Sequence, residues 1–244
     1  MSDPLTIIVN LATPYSGYLE SGYELPGPLV PVRGMPAYAR ALGSLPIDLA
    51  TSITLVIPAE MLDRHDFGGD LRLRFPHLVS HIVTSTATGI GPGGAVRAAI
   101  DHLSESSSVI IHPASVIHRS ALAARLSVME ELGGLVGVMD GEVIGTGAWS
   151  ADSFASVDRT GRVGAIESRW SEGAMALTGT VMLSGSSGAT GEAVRLALEL
   201  DPRSDASVFL GALVKRRVAL GVDRVNASWD LSHAAGLGAY LAHR

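Results

Sequence analysis

Short apolar runs rich in β-branched residues alternate along this chain with helix-compatible stretches, and that alternation is the strongest constraint on its fold. Leu5–Leu11 is the first such run, followed by Ser52–Ile57, His81–Thr84, Val109–His112, Leu135–Met139, Met175–Leu183 and Val222–Asn226. Runs this short and this apolar read as buried strands. Between them lie helical stretches: from Pro36 to Leu45, from Pro92 to Leu103, then Ser120–Leu132, Gly191–Glu199, Val208–Leu220 and a last helix to Arg244. Met61–Phe75 mixes charges with apolar residues and is expected to hold a helix and a short strand. The pattern predicts an α/β fold with a mostly parallel sheet flanked by helices. Asp158-Arg159-Thr160-Gly161, between Ser153–Val157 and Arg162–Ile166, predicts a β-hairpin. Ser184–Gly191 is a low-complexity loop and is expected to be mobile. No internal repeat or boundary divides the chain, so residues 1–244 are read as one domain.

Composition narrows the classes of function. The chain has no cysteine, which removes disulfides, thiolate nucleophiles and Cys-type zinc sites together. That is compatible with a reducing cytoplasm, the expected location. No basic segment precedes a long apolar one at the start, so no signal peptide is expected. No apolar run approaches the ~20 residues that span a bilayer. The net charge is −6 with no basic block, which disfavours nucleic acid and anionic membrane as partners. Lys215 is the only lysine and sits in a late helix.

The first forty residues carry the motif. The strand Leu5–Leu11 runs into Ala12-Thr13-Pro14-Tyr15-Ser16-Gly17-Tyr18, then Gly22-Tyr23, then Pro26-Gly27-Pro28-Leu29-Val30-Pro31-Val32, then Gly34-Met35-Pro36. This order resembles the N-terminus of the sugar-phosphate nucleotidyltransferases (nucleoside-diphosphate-sugar pyrophosphorylases), whose pattern is A-G-x-G-S-R-F, then G-Y, then P-K-P-L-I-P-V-x-G-K-P. The resemblance covers most of the chain and implies a single GT-A-like, Rossmann-like domain. It also implies a pocket at the carboxyl ends of the first strands and a small antiparallel hairpin over that pocket. The framework is kept at Ala12, Ser16, Gly22, Tyr23, Pro26, Pro28, Leu29, Pro31, Val32, Gly34 and Pro36. The charged chemistry is not. The family's two loop glycines fall on Thr13 and Tyr15, its triphosphate-binding arginine on Gly17, and its lysine on Gly27.

Further along, the resemblance implies a base-binding loop at Thr88, Gly89, Gly93, Gly94 and Ala95, where glycine lets a flat base approach the main chain. An ordinary glycine-rich turn capping a helix accounts for the same residues. The family's next strand ends in a Mg²⁺-binding Asp. Here Val109–Val116 contains no carboxylate, and His112 stands near its middle. The pairs His112/His118 and His77/His81 read as loop or surface histidines more readily than as zinc ligands. Glu167 matches the Glu of the family's sugar-binding Glu-Lys pair, with Ser168 in place of the Lys and Arg169 next to it. Gly179 matches a small residue on the following strand, or is a packing glycine. Trp229-Asp230-Leu231 resembles the element carrying the second Mg²⁺ carboxylate, which makes Asp230 the candidate metal ligand. Asp230 reads equally as the N-cap of the last helix.

The candidate sites are therefore Tyr15, His112 and Glu167 as acid/base groups, with Tyr18 beside them. Ala12, Ser16, Gly17, Gly89 and Gly94 are the candidate nucleotide- or cofactor-binding positions, and Asp230 is the metal position. The cofactor stays unassigned. The expected function is that of a nucleotidyltransferase-like protein without magnesium-dependent nucleotidyl transfer. Such a protein binds a nucleotide, sugar phosphate or related metabolite, or supports a biosynthetic-pathway enzyme as a partner. Changed chemistry in the same pocket, or residual nucleotidyl transfer with Arg33 or another arginine replacing the lost cations, are the alternatives.

Overall fold

A computed structural model describes residues 4–13, 15, 18, 20–119, 122–140 and 153–242. In chain order the first elements are β1 (Leu5–Asn10), β2 (Pro31–Val32), β3 (Met35–Pro36), α1 (Ala37–Leu42), β4 (Ser52–Pro58), α2 (Ala59–Leu62), α3 (Phe67–Arg74) and β5 (Val79–Ser85). Next come α4 (Pro92–Ala98), β6 (Ser108–Pro113), β7 (Val116–Arg119), α5 (Leu122–Leu132), β8 (Gly134–Asp140), β9 (Phe154–Val157) and β10 (Val163–Glu167). The chain closes with β11 (Met175–Leu183), α6 (Ala189–Glu199), α7 (Ala206–Lys215), β12 (Leu220–Arg224), β13 (Ala227–Asp230) and α8 (Ala234–Ala242).

The main sheet has nine strands. Its backbone runs β5-β4-β1-β6, all parallel, and then β11, which is antiparallel to both β6 and β8; β12 closes the far side parallel to β8. Every residue of β1 is buried, because helices cover both faces. Its side chains alternate between the two layers. Leu5, Ile7 and Val9 join Tyr38 and Leu42 of α1, Phe67 and Leu71 of α3, and Met129 of α5. Ile8 turns the other way, toward Val96 of α4, Leu196 of α6 and Phe209 of α7. The result is the expected helix–sheet–helix sandwich.

Several local expectations differ from the structure. Met61–Phe75 holds the end of α2 and all of α3, with no strand. The helix expected over Val208–Leu220 ends at Lys215, because Arg217 adopts φ 64 and breaks the helical path, and Leu220 opens β12. The hairpin forms at β9 and β10, but β10 packs on α7, and Arg162 bridges to Gly221 of β12. Ser184–Gly191 is a tied turn: Ser184 Oγ lies 3.0 Å from Ser186 Oγ, and Gly188 turns into α6 with φ +79. The pairing of β7 with β13 has no counterpart in the sequence reading.

Candidate ligand-binding cleft

Three strand ends converge on one cleft of about 610 Å³. Ala12 and Thr13 follow β1, Pro58 ends β4 with Glu60 just beyond it, and Thr88 and Gly89 follow β5. Parallel sheets place ligand sites there because loops and helix starts diverge at that edge. The other wall is Tyr15, Tyr18, Leu25, Pro26 and Gly27. Among the described residues, none of the lining comes from the β9–β10 hairpin, so the hairpin does not roof this cleft.

Asn10, which sequence reasoning passed over, fixes the cleft floor. Its Nδ2 donates to the Ile90 carbonyl at 2.8 Å, and its Oδ1 accepts from the Ala12 N–H at 3.0 Å. The Ala12 carbonyl accepts from the N–H groups of Gly89 at 2.7 Å and Ile90 at 3.2 Å. One buried amide thus staples the loop after β1 to the loop after β5. The signal in the sequence is a lone polar residue closing a buried apolar run, where an unpaired amide would cost too much to be accidental.

Tyr15 and Gly27 form a matched pair. A Cβ placed on Gly27 would overlap Tyr15 Cδ1 and lie 2.9 Å from Tyr18 Cε2. The Tyr15 ring therefore occupies the space a side chain at 27 would take. The small residue at 27 and the large one at 15 are therefore matched in packing. Burial pushes the Tyr15 phenol pKa upward; the Thr13 hydroxyl opposes this and the Asp230 carboxylate reinforces it. A phenol held neutral in this way is a hydrogen-bond donor and a poor general base. Tyr18 is buried too. Its hydroxyl donates to the Leu231 carbonyl at 2.6 Å, and its ring meets Tyr23 edge-on at 5.4 Å.

Of the remaining expected positions, Ala12 and Gly89 line the cleft, and Gly89 has φ +73. Ser16 and Gly17 lie outside the described residues. Gly94 is not at the cleft. It is buried in α4, where a Cβ would overlap the Pro202 carbonyl oxygen, and Gly93 meets Phe209 in the same way. Helix packing, rather than base recognition, explains those two glycines. Glu167 ends β10 and accepts from Ser171 Oγ at 2.9 Å.

His112 is fully buried and engaged at both nitrogens. Nε2 lies 2.8 Å from the Val116 carbonyl, which can only accept, so Nε2 carries the proton. Nδ1 then accepts from Thr180 Oγ1 at 2.9 Å. Thr180 Oγ1 in turn accepts from His118 Nε2 at 2.5 Å, and His118 Nδ1 accepts from Ser228 Oγ at 3.0 Å. Every donor and acceptor in this chain is satisfied with both rings neutral. Burial holds His112 down at about 4 and His118 well below the ordinary histidine value. No hydrogen bond or ion pair joins His112 to Glu167 among the described residues: His112 bonds Thr180 and Val116, and Glu167 bonds Ser171.

Asp230 ends β13. Its oxygens accept from Ser232 N at 2.9 Å and Ser232 Oγ at 2.8 Å. It closes a turn, and α8 starts only at Ala234, so it is not the helix cap. Among the described residues, no three His, Asp or Glu side chains gather as a metal-binding group. Mg²⁺ asks for hard oxygen ligands, usually with one or two carboxylates. Strand β6 offers only the hydrogen-bonded His112, so the described residues do not fit the ion.

No family model matches the chain, and no curated protein matches it in sequence. Solved structures do match in fold. The inositol-1-phosphate CTP transferase from T. maritima superposes with a TM-score of 0.73 at 14% identity, covering 97% of this chain and 92% of that one. The fold is that of the sugar nucleotidyltransferases. The nucleoside-diphosphate-sugar pyrophosphorylase from Vibrio cholerae RC9 gives 0.71 at 11% identity over 97% of this chain and 99% of that one. A Bacillus anthracis protein described as a glucose-1-phosphate thymidylyltransferase gives 0.69 at 13% over 99% and 94%. The chain matches these structures in fold over nearly their whole length. Among its described residues no helix is long and apolar enough to cross a membrane.

Proposed function

We propose that this protein is a nucleotidyltransferase-fold binder of a small metabolite that does not catalyse magnesium-dependent nucleotidyl transfer. One observation carries the reading: Tyr15 fills the space beside Gly27 where the fold's relatives are expected to place a cationic side chain against phosphates. Phosphoryl transfer is mostly positioning and charge neutralisation, and one supplied arginine is worth ~10³–10⁵ in rate. Replacing that arginine by Gly17 and the lysine by Gly27, with no carboxylate on β6, removes several such contributions together. The ligand is a nucleotide, a sugar phosphate or a related metabolite held in the cleft, in a cytoplasmic protein. A pathway-enzyme partner is compatible with the same reading.

Changed chemistry in the pocket draws less support. Its best acid/base candidate, His112, is committed to Thr180 and Val116. The test is pyrophosphate release from each nucleoside triphosphate with a panel of sugar 1-phosphates and Mg²⁺. The expected result is no release above the protein-free rate. Robust magnesium-dependent turnover with any pair overturns the reading.

A further inference from the structure

Strand β5 ends the main sheet, and its outer edge is bare. The other terminal strands are covered: β10 packs on α7, and Arg162, just before β10, bridges to Gly221 of β12. Among the described residues β5 pairs with β4 alone, in unbroken register from Val79 to Ser85. The Val79 N–H donates to the Thr51 carbonyl, just ahead of β4, at 3.3 Å. Backbone direction alternates along a strand, so Val79, His81, Val83 and Ser85 face β4. The N–H and C=O groups of Ser80, Ile82 and Thr84 therefore point outward. No hydrogen bond among the described residues reaches those outward groups.

An open edge is a template for another strand, and proteins that stay single blunt it with charge, proline or a bulge. Val79-Ser80-His81-Ile82-Val83-Thr84-Ser85 holds no Lys, Arg, Asp, Glu or Pro, and its register does not shift. Apolar side chains lie open there instead. Val79 is 58% exposed and Ile82 39%, and Leu73, on the α3 helix that packs on β5, is 82% exposed.

The free groups match themselves. A second β5, laid antiparallel across a twofold axis at Ile82, sets Ile82 opposite the partner's Ile82 and Ser80 opposite the partner's Thr84. All three outward residues then fall at positions that exchange both backbone hydrogen bonds. Moving the axis along the strand leaves at least one of them unmatched. The flank suits a copy too. The groove of about 540 Å³ lined by Ile82 holds Asp63 and Asp66 against Arg64 and Arg72, so its formal charges cancel. Asp63, Arg64 and Arg72 form no ion pair among the described residues. An isologous contact brings a patch against itself, and a patch with both signs unpaired is complementary to its own copy.

We propose that β5 is the interface of a homodimer, made by antiparallel β5–β5 pairing that carries one sheet through both copies. The twofold axis closes the assembly at two chains.

The chain has no cysteine, so single-thiol variants of the full chain report this pairing directly. In Ile82→Cys the two thiols meet at the axis, where the Cα atoms of such a pair lie about 5.5 Å apart, within reach of a disulfide. Mild oxidation is expected to convert most of Ile82→Cys to a two-chain band on a non-reducing gel, and little of Ala165→Cys, an exposed thiol on β10. Sedimentation of the wild-type chain over a dilution series is expected to show two chains giving way to one. Ile82→Lys sets like charges opposite each other and is expected to weaken association about tenfold. Circular dichroism reports whether that variant folds, and the two cysteine variants decide the question without it. A wild-type chain that stays single throughout the series, assemblies larger than two chains, a dimer that folded Ile82→Lys leaves as tight, or equal cross-linking of Ile82→Cys and Ala165→Cys overturns the proposal.

Discussion

At the scale of single residues, the protein keeps two kinds of buried polar group for different ends. Asn10 spends its amide on the backbone of two loops and so shapes the cleft. His112, Thr180 and His118 spend theirs on one another, between β6, β7 and β11. This second set makes stability depend on pH. In the unfolded chain an ordinary histidine takes up a proton near pH 6.5, whereas folded His112 resists until about 4. The folded state therefore has its full stability above pH 6.5 and loses it as pH falls from there toward 4. By linkage the loss from His112 alone is about 3 kcal/mol at pH 4. Urea midpoints measured between pH 7.5 and 4.5 should fall steeply below pH 6.5, and a flat profile would count against neutral buried rings. Thr180→Val, similar in shape, leaves His112 Nδ1 and His118 Nε2 facing no partner, and should cost about 3 kcal/mol. A cost near zero in chemical denaturation would mean the threonine hydroxyl is not the link between the rings.

At the scale of elements, β11 shows what period and propensity could and could not reveal. Its apolar run marks a buried strand, and the structure places one there. The run gives no hint that the strand serves two sets of neighbours. Its second half pairs with β6 and β8, its first half with β8 and β9, and the register shifts between Leu177 and Val181. Gly179, with φ +81, is the residue that allows the bend, and a Cβ there would come 3.1 Å from Pro113 Cγ. Gly179→Ala should therefore lower stability by about 2 kcal/mol, left-handed strain adding to a close contact. Thermal unfolding that shows no loss would shift the bend to another residue. The same limit explains the other differences. β7 and β13 lie far apart in sequence and are short, so only tertiary pairing defines them. The glycines at 93 and 94 look like a ligand loop in sequence, because the chain itself does not show that Pro202 and Phe209 press against them. Strands and helices with strong periodicity were legible, and long-range contacts were not.

At the scale of the whole molecule, the cleft at the carboxyl edge of the sheet was legible because parallel strand order opens crevices there. The occupants of that edge were legible only in part. Ala12 and Tyr15 were singled out from the N-terminal motif and Gly89 from the glycine-rich loop after the third strand, and all three line the cleft, while Glu20, Glu24, Glu60 and Arg64 drew no notice, because no sequence pattern marks a charge at an opening. On the proposed reading, Tyr15 holds the room the phosphates of a nucleotide would need. Calorimetric titration of the four nucleoside triphosphates into the wild-type protein and into Tyr15→Gly addresses it most directly. Weak binding to the wild type, weaker than to a smaller or less charged ligand and strengthened in Tyr15→Gly, is the predicted result. Tight triphosphate binding by the wild type that Tyr15→Gly leaves unchanged would contradict it.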